Sequence, residues 1–488
     1  MKLNRKWINE EFVDLHEVSD KEFVETLTVF GQKVETWERM DAEIKNVVVG
    51  KVLSMVRHPN SDHMFICQVD VGQEAPVQIV TGAQNVHEGD LVPAALHNSW
   101  LPGGVHITKG KLRGEVSNGM LCSFGELGLT QNDLPGVFAD GIWILEPDAG
   151  KPGDNINLVI GNDDTVVDFE ITNNRPDCYS IIGLARETAA AFGKHMRHHE
   201  PVVHGSDAGS IFDHLDVEVE AENLCNRYTS RMVANVKIGP SPKWMRQRLR
   251  ANGVRPINNI VDITNYVMME LGLPLHVFDR ALLKEGRIVV RRAGENESIT
   301  ALDGKKYDLS PEMLVIADAE KPVAIAGVMG GEYSGVLDST RDVVLEAAYF
   351  NKTSVRMTSA KLNLSSDASH RYERGADPGM VEKASARAAV LILELAGGEL
   401  VSDLVSVAAP AEPQPRILCR YGRIRSLLGM EVADLEISTI FSKLGMEVEP
   451  VNAESCYVIP PTYRADVTME ADLAEEVARI HGLDKIPD

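Results

Sequence analysis

One stretch near the end of the chain decides the fold of its last part: Pro460-Pro-Thr-Tyr-Arg-Ala-Asp466-Val-Thr-Met-Glu-Ala-Asp472-Leu-Ala-Glu475-Glu476-Val-Ala-Arg479-Ile-His-Gly482. After Asp466, apolar side chains recur at i, i+4 and i+7, at Leu473, Val477 and Ile480. This spacing makes one apolar stripe and predicts an amphipathic helix. The polar side of that helix is acidic, which raises the question of what the acidic side chains bind.

Four carboxylates are expected to converge at the start of this helix: Asp466, Asp472, Glu475 and Glu476. Carboxylates held together raise one another's pKa unless a cation or an arginine lies among them. Oxygen-only ligands suit a hard ion such as Mg²⁺. An ordinary helix start is the alternative, with Asp466 as the N-cap and Glu475 paired with Arg479. The residue types alone leave both interpretations open.

Length and composition predict an ordinary multidomain globular protein. The 488 residues are too many for one core, so roughly three to five domains are expected. No apolar run approaches the roughly 18 residues that a membrane helix needs, so no membrane contact is expected. The six cysteines are scattered without a Cys-x-x-Cys pair, which fits a reducing cytoplasm. A net charge of −23 argues against DNA or RNA binding driven by overall charge, and leaves room for a local basic strip.

The fold class predicted from these patterns is multidomain α+β. Residues 1–40 are too few to bury a core alone, so they are expected to pack with the segment that follows an inserted domain. A helix is expected there from about Asp177 to Phe192. Turn-rich or proline-rich breaks separate the parts. The predicted domains are 1–40 with 153–199 (N-terminal α+β), 41–152 (inserted barrel), 212–407 (mixed α/β) and 416–488 (small, helix-rich with strands).

The inserted region 41–152 is predicted to be a β-barrel of the OB type. Short runs rich in β-branched residues alternate with turns, and such barrels bind nucleic acid on one face. Lys109, Lys111 and Arg113 form a basic strip that alternation would place on one strand face. This strip is the candidate RNA contact, and a solvated edge strand is the alternative.

The region 212–407 carries five blocks that are candidates for a binding or catalytic site. They are Asn258-Asn-Ile-Val-Asp-Ile-Thr264-Asn265-Tyr, Leu271-Gly-Leu-Pro-Leu-His276-Val-Phe-Asp279, Ala324-Ile-Ala326-Gly327-Val-Met-Gly-Gly331, Val344-Leu-Glu346-Ala-Ala-Tyr-Phe350 and Ser369-His-Arg371-Tyr-Glu-Arg374-Gly-Ala-Asp377-Pro. They contain no Gly-x-Ser-x-Gly elbow, and no motif marks a Cys or Ser as a nucleophile. Adjacent glycines allow a ligand to approach the backbone closely.

Together these patterns resemble the beta subunit of bacterial phenylalanyl-tRNA synthetase. The acidic helix and the five blocks occur in this order in that family. Markers resembling its tRNA-binding domain are His58-Pro-Asn-Ser-Asp62, Val80-Thr-Gly-Ala-Gln-Asn85, Leu101-Pro-Gly-Gly104 and Lys111-Leu-Arg-Gly-Glu-Val-Ser-Asn-Gly-Met-Leu-Cys-Ser123. The sequence departs from the usual pattern at His63, Met64 and Thr81. The resemblance implies that this chain is the N-terminal part of a longer subunit.

The resemblance implies that 212–407 is an editing domain, which hydrolyses tyrosine mistakenly attached to the phenylalanine tRNA. The implied editing residues are Thr264, Asn265, His276, Ala326, Gly327 and Glu346. Such an ester needs only an oriented water and a stabilised oxyanion, which agrees with the missing nucleophile. Glu346 is expected to accept a hydrogen bond from the phenolic hydroxyl of tyrosine.

The resemblance also implies cofactors and partners. Asp466, Asp472, Glu475 and Glu476 are implied to bind one Mg²⁺ at the contact with the alpha subunit, and the last domain would then end in a metal-site helix. The implied partners are tRNA(Phe) and the alpha subunit, in a heterotetramer of two alpha and two beta chains. ATP would be used at the alpha subunit.

Three functions stay open from the sequence. The first is a subunit of phenylalanine-tRNA ligase that edits tRNA and scaffolds the alpha subunit. The second is a hydrolase that removes tyrosine from tRNA on its own. The third is a non-catalytic module that binds tRNA or partner proteins. Hydrolysis of Tyr-tRNA separates the second from the third, and co-purification with the alpha subunit separates the first from both.

Overall fold

The computed structural model describes residues 1–205, 209–410 and 413–485. The chain begins with β1 (Lys2–Asn4), α1 (Arg5–Glu11), α2 (Asp20–Val29) and β2 (Val34–Arg39). The Ser19 side chain caps α2 by accepting a hydrogen bond from the N–H of Glu22. Phe23 and Leu27 lie one turn apart on this helix and are fully buried. Across the described ranges, none of the helices combines the length and the apolar character required to cross a membrane.

A curled antiparallel sheet follows. Its strands are β3 (Lys45–Arg57), β4 (Phe65–Asp70), β5 (Val77–Thr81), β6 (Leu91–Leu101), β7 (Val105–Ile107), β8 (Gly110–Leu112), β9 (Glu115–Ser117) and β10 (Gly119–Leu121). The order across the sheet is β10-β6-β3-β4-β5, with β7 also paired to β6. The N–H of Asn118 donates to the carbonyl of Gln78 at 2.9 Å, so the two ends of the sheet meet. The finer OB assignment stays a prediction.

The chain then returns to its first strands. It forms α3 (Ile156–Ile160), β11 (Thr165–Phe169) and α4 (Ile181–Phe192), and β11 lies between β1 and β2, antiparallel to both. The curled sheet is therefore an insertion between β2 and β11. The predicted helix start near Asp177 is wrong. Residues Pro176–Cys178 make a short 3-10 turn, and the Ser180 side chain caps α4 by accepting from the N–H of Gly183.

The largest part of the chain is a mixed α/β region built on two sheets. Its elements are β12 (Asp216–Val219), β13 (Cys225–Ala234), α5 (Lys243–Ala251), α6 (Asn259–Leu271), β14 (Leu275–Asp279), β15 (Arg287–Arg292), β16 (Ser298–Thr300), β17 (Lys306–Asp308), β18 (Leu314–Ala317), β19 (Pro322–Ile325), β20 (Met329–Gly330), β21 (Val343–Phe350), α7 (Lys352–Leu362), α8 (Asp367–Tyr372), α9 (Val381–Ala396), β22 (Glu399–Leu400) and β23 (Val405–Ala408). One sheet has the order β12-β15-β18-β19-β20, and the other has β14-β21-β13-β22, with β23 also on β13. Trp7 of α1 stacks on Tyr266 of α6 at 4.5 Å, so the first residues share the core of this region.

The last part is a small sheet covered by three helices. Its elements are β24 (Ile417–Arg420), α10 (Tyr421–Leu428), α11 (Asp434–Lys443), β25 (Glu447–Asn452), β26 (Ser455–Ile459) and α12 (Glu470–His481). The sheet order is β24-β26-β25. The apolar stripe predicted for α12 is buried, because Leu473 and Val477 are fully buried and Ile480 is nearly so. Multidomain α+β is therefore the observed architecture.

A buried network of ion pairs joins this last part to α4. Glu187 of α4 binds two guanidinium groups, that of Arg175, which lies just before α4, and that of Arg479 on α12. Arg479 also binds Glu476 at 2.7 Å. Although burial favours the neutral acid, the charges of Arg479 and Arg175 hold the pKa of Glu187 well below its usual range. Two segments nearly 300 residues apart (|i−j| = 292) are thus held together by charge as well as by packing.

The side chain of Arg479 passes so close to residue 31 that this residue has to be glycine. The guanidinium of Arg479 donates to the carbonyl of Phe30 at 2.8 Å as the side chain passes the end of α2. Gly31 has a φ of +90°, and a Cβ atom there would lie 2.8 Å from Cδ of Arg479. Any other residue at this position would meet both backbone strain and a steric clash.

We predict that Glu187→Gln destabilises the protein by about 3–5 kcal/mol, because it leaves two buried arginines without a full counter-charge. Urea denaturation measures the free energy of unfolding. The matched control is Glu25→Gln in the exposed Lys21–Glu25 pair of α2, where a loss under about 0.5 kcal/mol is expected. Equal losses for the two variants would contradict the structural role of the network.

Candidate functional site

A pocket of about 390 Å³ opens between β14, β21 and the turn that joins β19 to β20. Of the six predicted editing residues, four line it: His276, Ala326, Gly327 and Glu346. His276 and Glu346 are cross-strand partners, directly opposite each other on β14 and β21. The sheet register therefore brings an imidazole and a carboxyl group to one wall, although they are far apart in sequence.

The other two predicted residues lie outside this pocket. Thr264 and Asn265 are half-buried on α6, the helix that leads into β14. The Thr264 hydroxyl donates back to the carbonyl of Val261 at 2.7 Å, a bond that ties it to its own helix. The resemblance implied a common site for all six. The strand and turn residues line this pocket, while Thr264 and Asn265 lie on the neighbouring helix.

The turn after β19 presents its backbone to the pocket. The N–H of Val328 donates to the carbonyl of Ile325 at 3.0 Å, which closes a β-turn with Gly327 at its third position. The φ of Gly327 is +68°, and a Cβ atom there would lie 2.9 Å from Cγ2 of Val355. Both facts require glycine. Within the described residues the N–H of Gly327 has no hydrogen-bond partner, so it can donate to a ligand.

Glu346 is the most informative side chain of the pocket. It is 6% exposed, and one of its carboxyl oxygens accepts a hydrogen bond from the hydroxyl of Tyr228 at 2.7 Å. Burial raises the pKa of Glu346 to about 7, against the hydrogen bond from Tyr228, which lowers it. The carboxyl group can therefore change its charge near neutral pH. Its other oxygen has no partner among the described residues and is available to a ligand.

The sequence patterns did not point to Tyr228. It lies on β13, the strand beside β21, in the register position opposite Ala348, two residues from Glu346. The side chain is fully buried, and burial together with the charge of Glu346 raises its pKa. Only the strand order shows that a resident phenol already contacts the carboxyl group, so no local motif could have found it.

His276 is held as a neutral imidazole. Burial lowers its pKa to about 4. Its ring packs edge-on against Phe278 with 4.5 Å between centroids. A Cβ atom at Gly330 would lie 2.4 Å from Cε1 of His276, so the ring fits only because that residue is glycine. The Nε2 atom is buried and has no partner among the described residues, which leaves it for a ligand or a water molecule.

The acidic helix start does not have the geometry that the sequence predicted. Arg464 lies between Asp466 and Glu476 and binds both, at 2.9 and 2.8 Å. Although burial opposes ionisation, the bonds to Arg464 and Arg479 hold the pKa of Glu476 at about 2. The expected convergence of all four carboxylates is therefore wrong for this structure. An arginine supplies the positive charge between two of them.

The remaining two carboxylates are arranged differently. One oxygen of Asp472 accepts hydrogen bonds from the N–H groups of Thr468 and Met469, so this side chain caps the helix start. Glu475 is exposed, and no ion pair to a described residue is seen. As arranged here, the four residues do not fit a Mg²⁺ site made by this chain alone. Counting contacts with the described residues, the carboxylate oxygens left free are those of Glu475 and one of Asp472.

Another group of possible metal ligands lies inside the buried network. In the described ranges, ligand atoms of Asp177, Cys178 and Glu187 lie within 4.8 Å of one another. Arg175 binds both of these carboxylates, at 2.8 and 2.6 Å. Burial also raises the pKa of Cys178 well above its usual range, which disfavours the thiolate that a metal would need. The positive charge in this group is therefore supplied by the guanidinium of Arg175.

The basic strip of the inserted sheet is exposed but is not a strand face. Only Lys111 lies in a strand, β8, which forms a short hairpin with β9. Arg113 has a φ of +46° and Gly114 one of +98°, the two left-handed positions of a tight hairpin turn. Lys109 precedes the strand. The predicted alternation is thus wrong, although all three side chains project from the same exposed hairpin.

Three domain families match the chain. Residues 224–397 match the B3/4 domain, residues 417–483 match the tRNA synthetase B5 domain, and residues 47–140 match the "Putative tRNA binding domain". The chain is 44% identical to the "Phenylalanine--tRNA ligase beta subunit" of Clostridium acetobutylicum over 489 residues, and 44% identical to that of Moorella thermoacetica over 487. Both alignments cover 100% of this chain and 60% of the relative.

The whole chain is therefore similar to phenylalanine--tRNA ligase beta subunits. It spans 60% of the length of the beta subunits it matches. The pocket around Glu346 lies within the part that matches the B3/4 domain, and α12 within the part that matches the B5 domain. A solved N-terminal fragment of the Pyrococcus horikoshii beta subunit covers 66% of this chain, and 88% of that fragment is covered, at 16% identity and a TM-score of 0.35.

We predict that Glu346 makes the stability of this chain fall as pH rises from about 4.5 to about 7. In that range the folded state keeps a proton that the unfolded chain releases. Glu346→Gln should remove this contribution, whose slope is at most about 1.4 kcal/mol per pH unit. Tyr228→Phe removes a bond that lowers the pKa and should extend the fall to higher pH. Urea denaturation over pH measures both, and unchanged profiles would contradict the assignment.

Proposed function

We propose that this chain removes tyrosine from mischarged tRNA(Phe) by hydrolysis, as part of a phenylalanine--tRNA ligase. The observation that carries the proposal is the pocket in the B3/4-matching part, where a buried carboxyl group, a neutral imidazole and a free backbone N–H meet. Glu346 is the specificity residue, His276 orients water, and Gly327 supplies the oxyanion donor.

The geometry supports hydrolysis by water without a protein nucleophile. A water oxygen adds to the carbonyl carbon of the ester, the carbon–oxygen bond to the ribose breaks, and tyrosine leaves the tRNA. The free N–H of Gly327 can donate to the oxygen on which negative charge develops. Burial keeps the His276 ring neutral at neutral pH, so in the tautomer that carries its proton on Nδ1 the Nε2 atom can accept a hydrogen bond from the attacking water. Thr264 and Asn265, on the neighbouring α6, stay part of the proposal as residues that reach the bound tRNA end.

Discrimination between tyrosine and phenylalanine follows from the free oxygen of Glu346. A pocket shaped for the phenylalanine ring rejects one extra hydroxyl only about 100-fold, whereas a site that hydrogen-bonds the hydroxyl discriminates far more strongly. The ionised carboxylate can accept from both Tyr228 and a substrate phenol. The raised pKa implies that this recognition improves as pH rises through about 7.

The proposal extends to partners that are met outside the pocket. The hairpin with Lys109, Lys111 and Arg113 would contact the tRNA backbone, on a barrel of the OB type. Glu475 and Asp472 would bind Mg²⁺ together with ligands from the alpha subunit, with Asp466 and Glu476 released from Arg464 or holding the site indirectly. The complex would be a heterotetramer of two alpha and two beta chains in the cytoplasm, with ATP used at the alpha subunit.

For the pocket, Glu346→Ala should reduce the preference for Tyr-tRNA over Phe-tRNA by about ten- to a hundredfold, the value of a hydrogen bond to a charged group. His276→Ala should slow the hydrolysis of both esters. Deacylation rates of the isolated chain with both aminoacyl-tRNAs measure this. Wild-type rates and selectivity in both variants would remove the assignment, and an inactive wild type would leave only the binding-module interpretation.

For the hairpin, replacing Lys109, Lys111 and Arg113 with Glu should weaken tRNA binding and flatten its dependence on salt, because phosphate contacts are lost. Filter binding with unacylated tRNA(Phe) at several salt concentrations measures the slope. Replacing the exposed Lys21 of α2 with Glu is the control. An unchanged slope in the triple variant would show that this hairpin does not contact the RNA.

For the metal, calorimetry with Mg²⁺ alone should show little affinity in this chain, because Arg464 occupies two of the four carboxylates. The complex reconstituted with the alpha subunit should need Mg²⁺ for assembly, and Asp472→Asn with Glu475→Gln should reduce that need. Hydrolysis of Tyr-tRNA, measured on the same variant, should not change. Tight Mg²⁺ binding by the chain alone, or an unaltered metal requirement, would contradict this assignment.

A further inference from the structure

A second, larger cleft lies where three parts of the chain meet. It has a volume of about 1520 Å³ and is bounded by α4, by the segment around α8, and by the turn before α12. The cations that line it are Arg186, Arg227, Lys352, Arg371 and Arg374, and the carboxylates are Asp177 and Asp377. The cleft is therefore basic within a chain whose net charge is −23.

The two carboxylates do not neutralise these cations. Both oxygens of Asp177 accept hydrogen bonds from Arg175, at 3.0 and 2.8 Å. Asp377 accepts from the N–H of Gly379 at 2.8 Å, where it caps a short 3-10 turn. Three of the five cations have carboxylate partners that do not line the cleft: Arg227 with Glu382, Arg371 with Asp367, and Arg374 with Glu373. Arg186 and Lys352 are the cations left to attract an anion.

Several donors of the cleft have no protein partner. Arg186 has no carboxylate partner among the described residues, and its guanidinium lies 3.8 Å from the centre of the Tyr463 ring. Lys352 is exposed at the start of α7 and makes no ion pair in the described ranges. The Nε atoms of Arg227 and Arg374 are buried without a hydrogen bond. The arginines of the neighbouring buried network, by contrast, each bind two carboxylates.

We propose that this cleft binds the phosphodiester backbone of an RNA strand. The cleft is open to solvent and draws its lining from three parts of the chain, as a groove for an extended strand would. Basic grooves that combine arginines with aromatic faces are how proteins hold single-stranded nucleic acid, and arginine matches phosphate geometry. The inference rests on the proposed function, in which tRNA is the substrate.

The position of the cleft relates it to the editing pocket. Tyr372, at the end of α8, borders the pocket, whereas Arg371 borders the cleft. On β21, Glu346 lies in the pocket and Tyr349 lies in the cleft. The two sites thus share one helix and one strand. RNA held in the cleft would run directly beside the pocket in which its terminal ester is hydrolysed.

The test is the salt dependence of binding to unacylated tRNA(Phe), measured by filter binding. Arg186→Gln with Lys352→Gln removes two unpaired cations and should make the log–log slope less negative by about 1.4, or 0.7 for each single-strand phosphate contact. The matched control is Arg423→Gln with Lys443→Gln, two exposed cations of the last domain, which should leave the slope unchanged. If the double variant does not fold, Lys352→Gln alone, at an exposed helix start, should shift the slope by about half as much.

An unchanged slope and affinity in the variant would overturn the inference. Oligoglutamate of matched charge is the second probe. If it displaces tRNA from the wild type, and the double variant loses affinity for the peptide but not for tRNA, the cleft is a peptide site and the RNA inference fails.

Deacylation of Tyr-tRNA separates this inference from the proposed function. The double variant should show a raised KM with an unchanged kcat, because the pocket residues are untouched. If the double variant shows the predicted slope change but the wild type does not hydrolyse the ester, the editing proposal fails and the RNA-binding role of the cleft stands. If the wild type hydrolyses the ester but the double variant shows no slope change, the editing proposal stands and the RNA-binding role of the cleft fails.

Discussion

The structure depends on one buried set of ion pairs between α4 and the last domain. Glu187 neutralises Arg175 and Arg479, and Glu476 neutralises Arg479 and Arg464. Each charge is buried, so each is tolerable only while its partner stays in place. The network therefore fixes α4 relative to the B5-matching region, and both of these border the basic cleft.

In the pocket, burial shifts the pKa values of two side chains in opposite directions. Burial keeps His276 neutral and brings the pKa of Glu346 to about 7. A neutral imidazole can orient water, while a carboxyl group near its midpoint can accept a phenolic hydroxyl. Tyr228 stabilises the ionised form of Glu346 with a hydrogen bond. A residue of β13, which lies outside the five sequence blocks, thus lowers the pKa of the side chain that would distinguish tyrosine from phenylalanine.

Charge in this chain is local in its effect. The net charge of −23 opposes general attraction to RNA, yet unpaired cations collect on the Lys109–Arg113 hairpin and in the cleft around Arg186. Surface potential falls off within about 10 Å at moderate salt, so nearby groups dominate what a phosphate meets. An acidic protein with two basic patches would attract RNA at the patches and repel it elsewhere.

The sequence by itself determined the order of the domains, the apolar stripe of α12 and the family resemblance, because periodicity and motif order are local properties of the chain. It also named four of the pocket residues. Only the tertiary structure decided that Arg464 lies between Asp466 and Glu476, that Tyr228 contacts Glu346, and that Thr264 lies on the neighbouring helix rather than in the pocket lining. Those facts depend on strand register and on contacts between distant segments, and neither is encoded in the spacing of neighbouring residues.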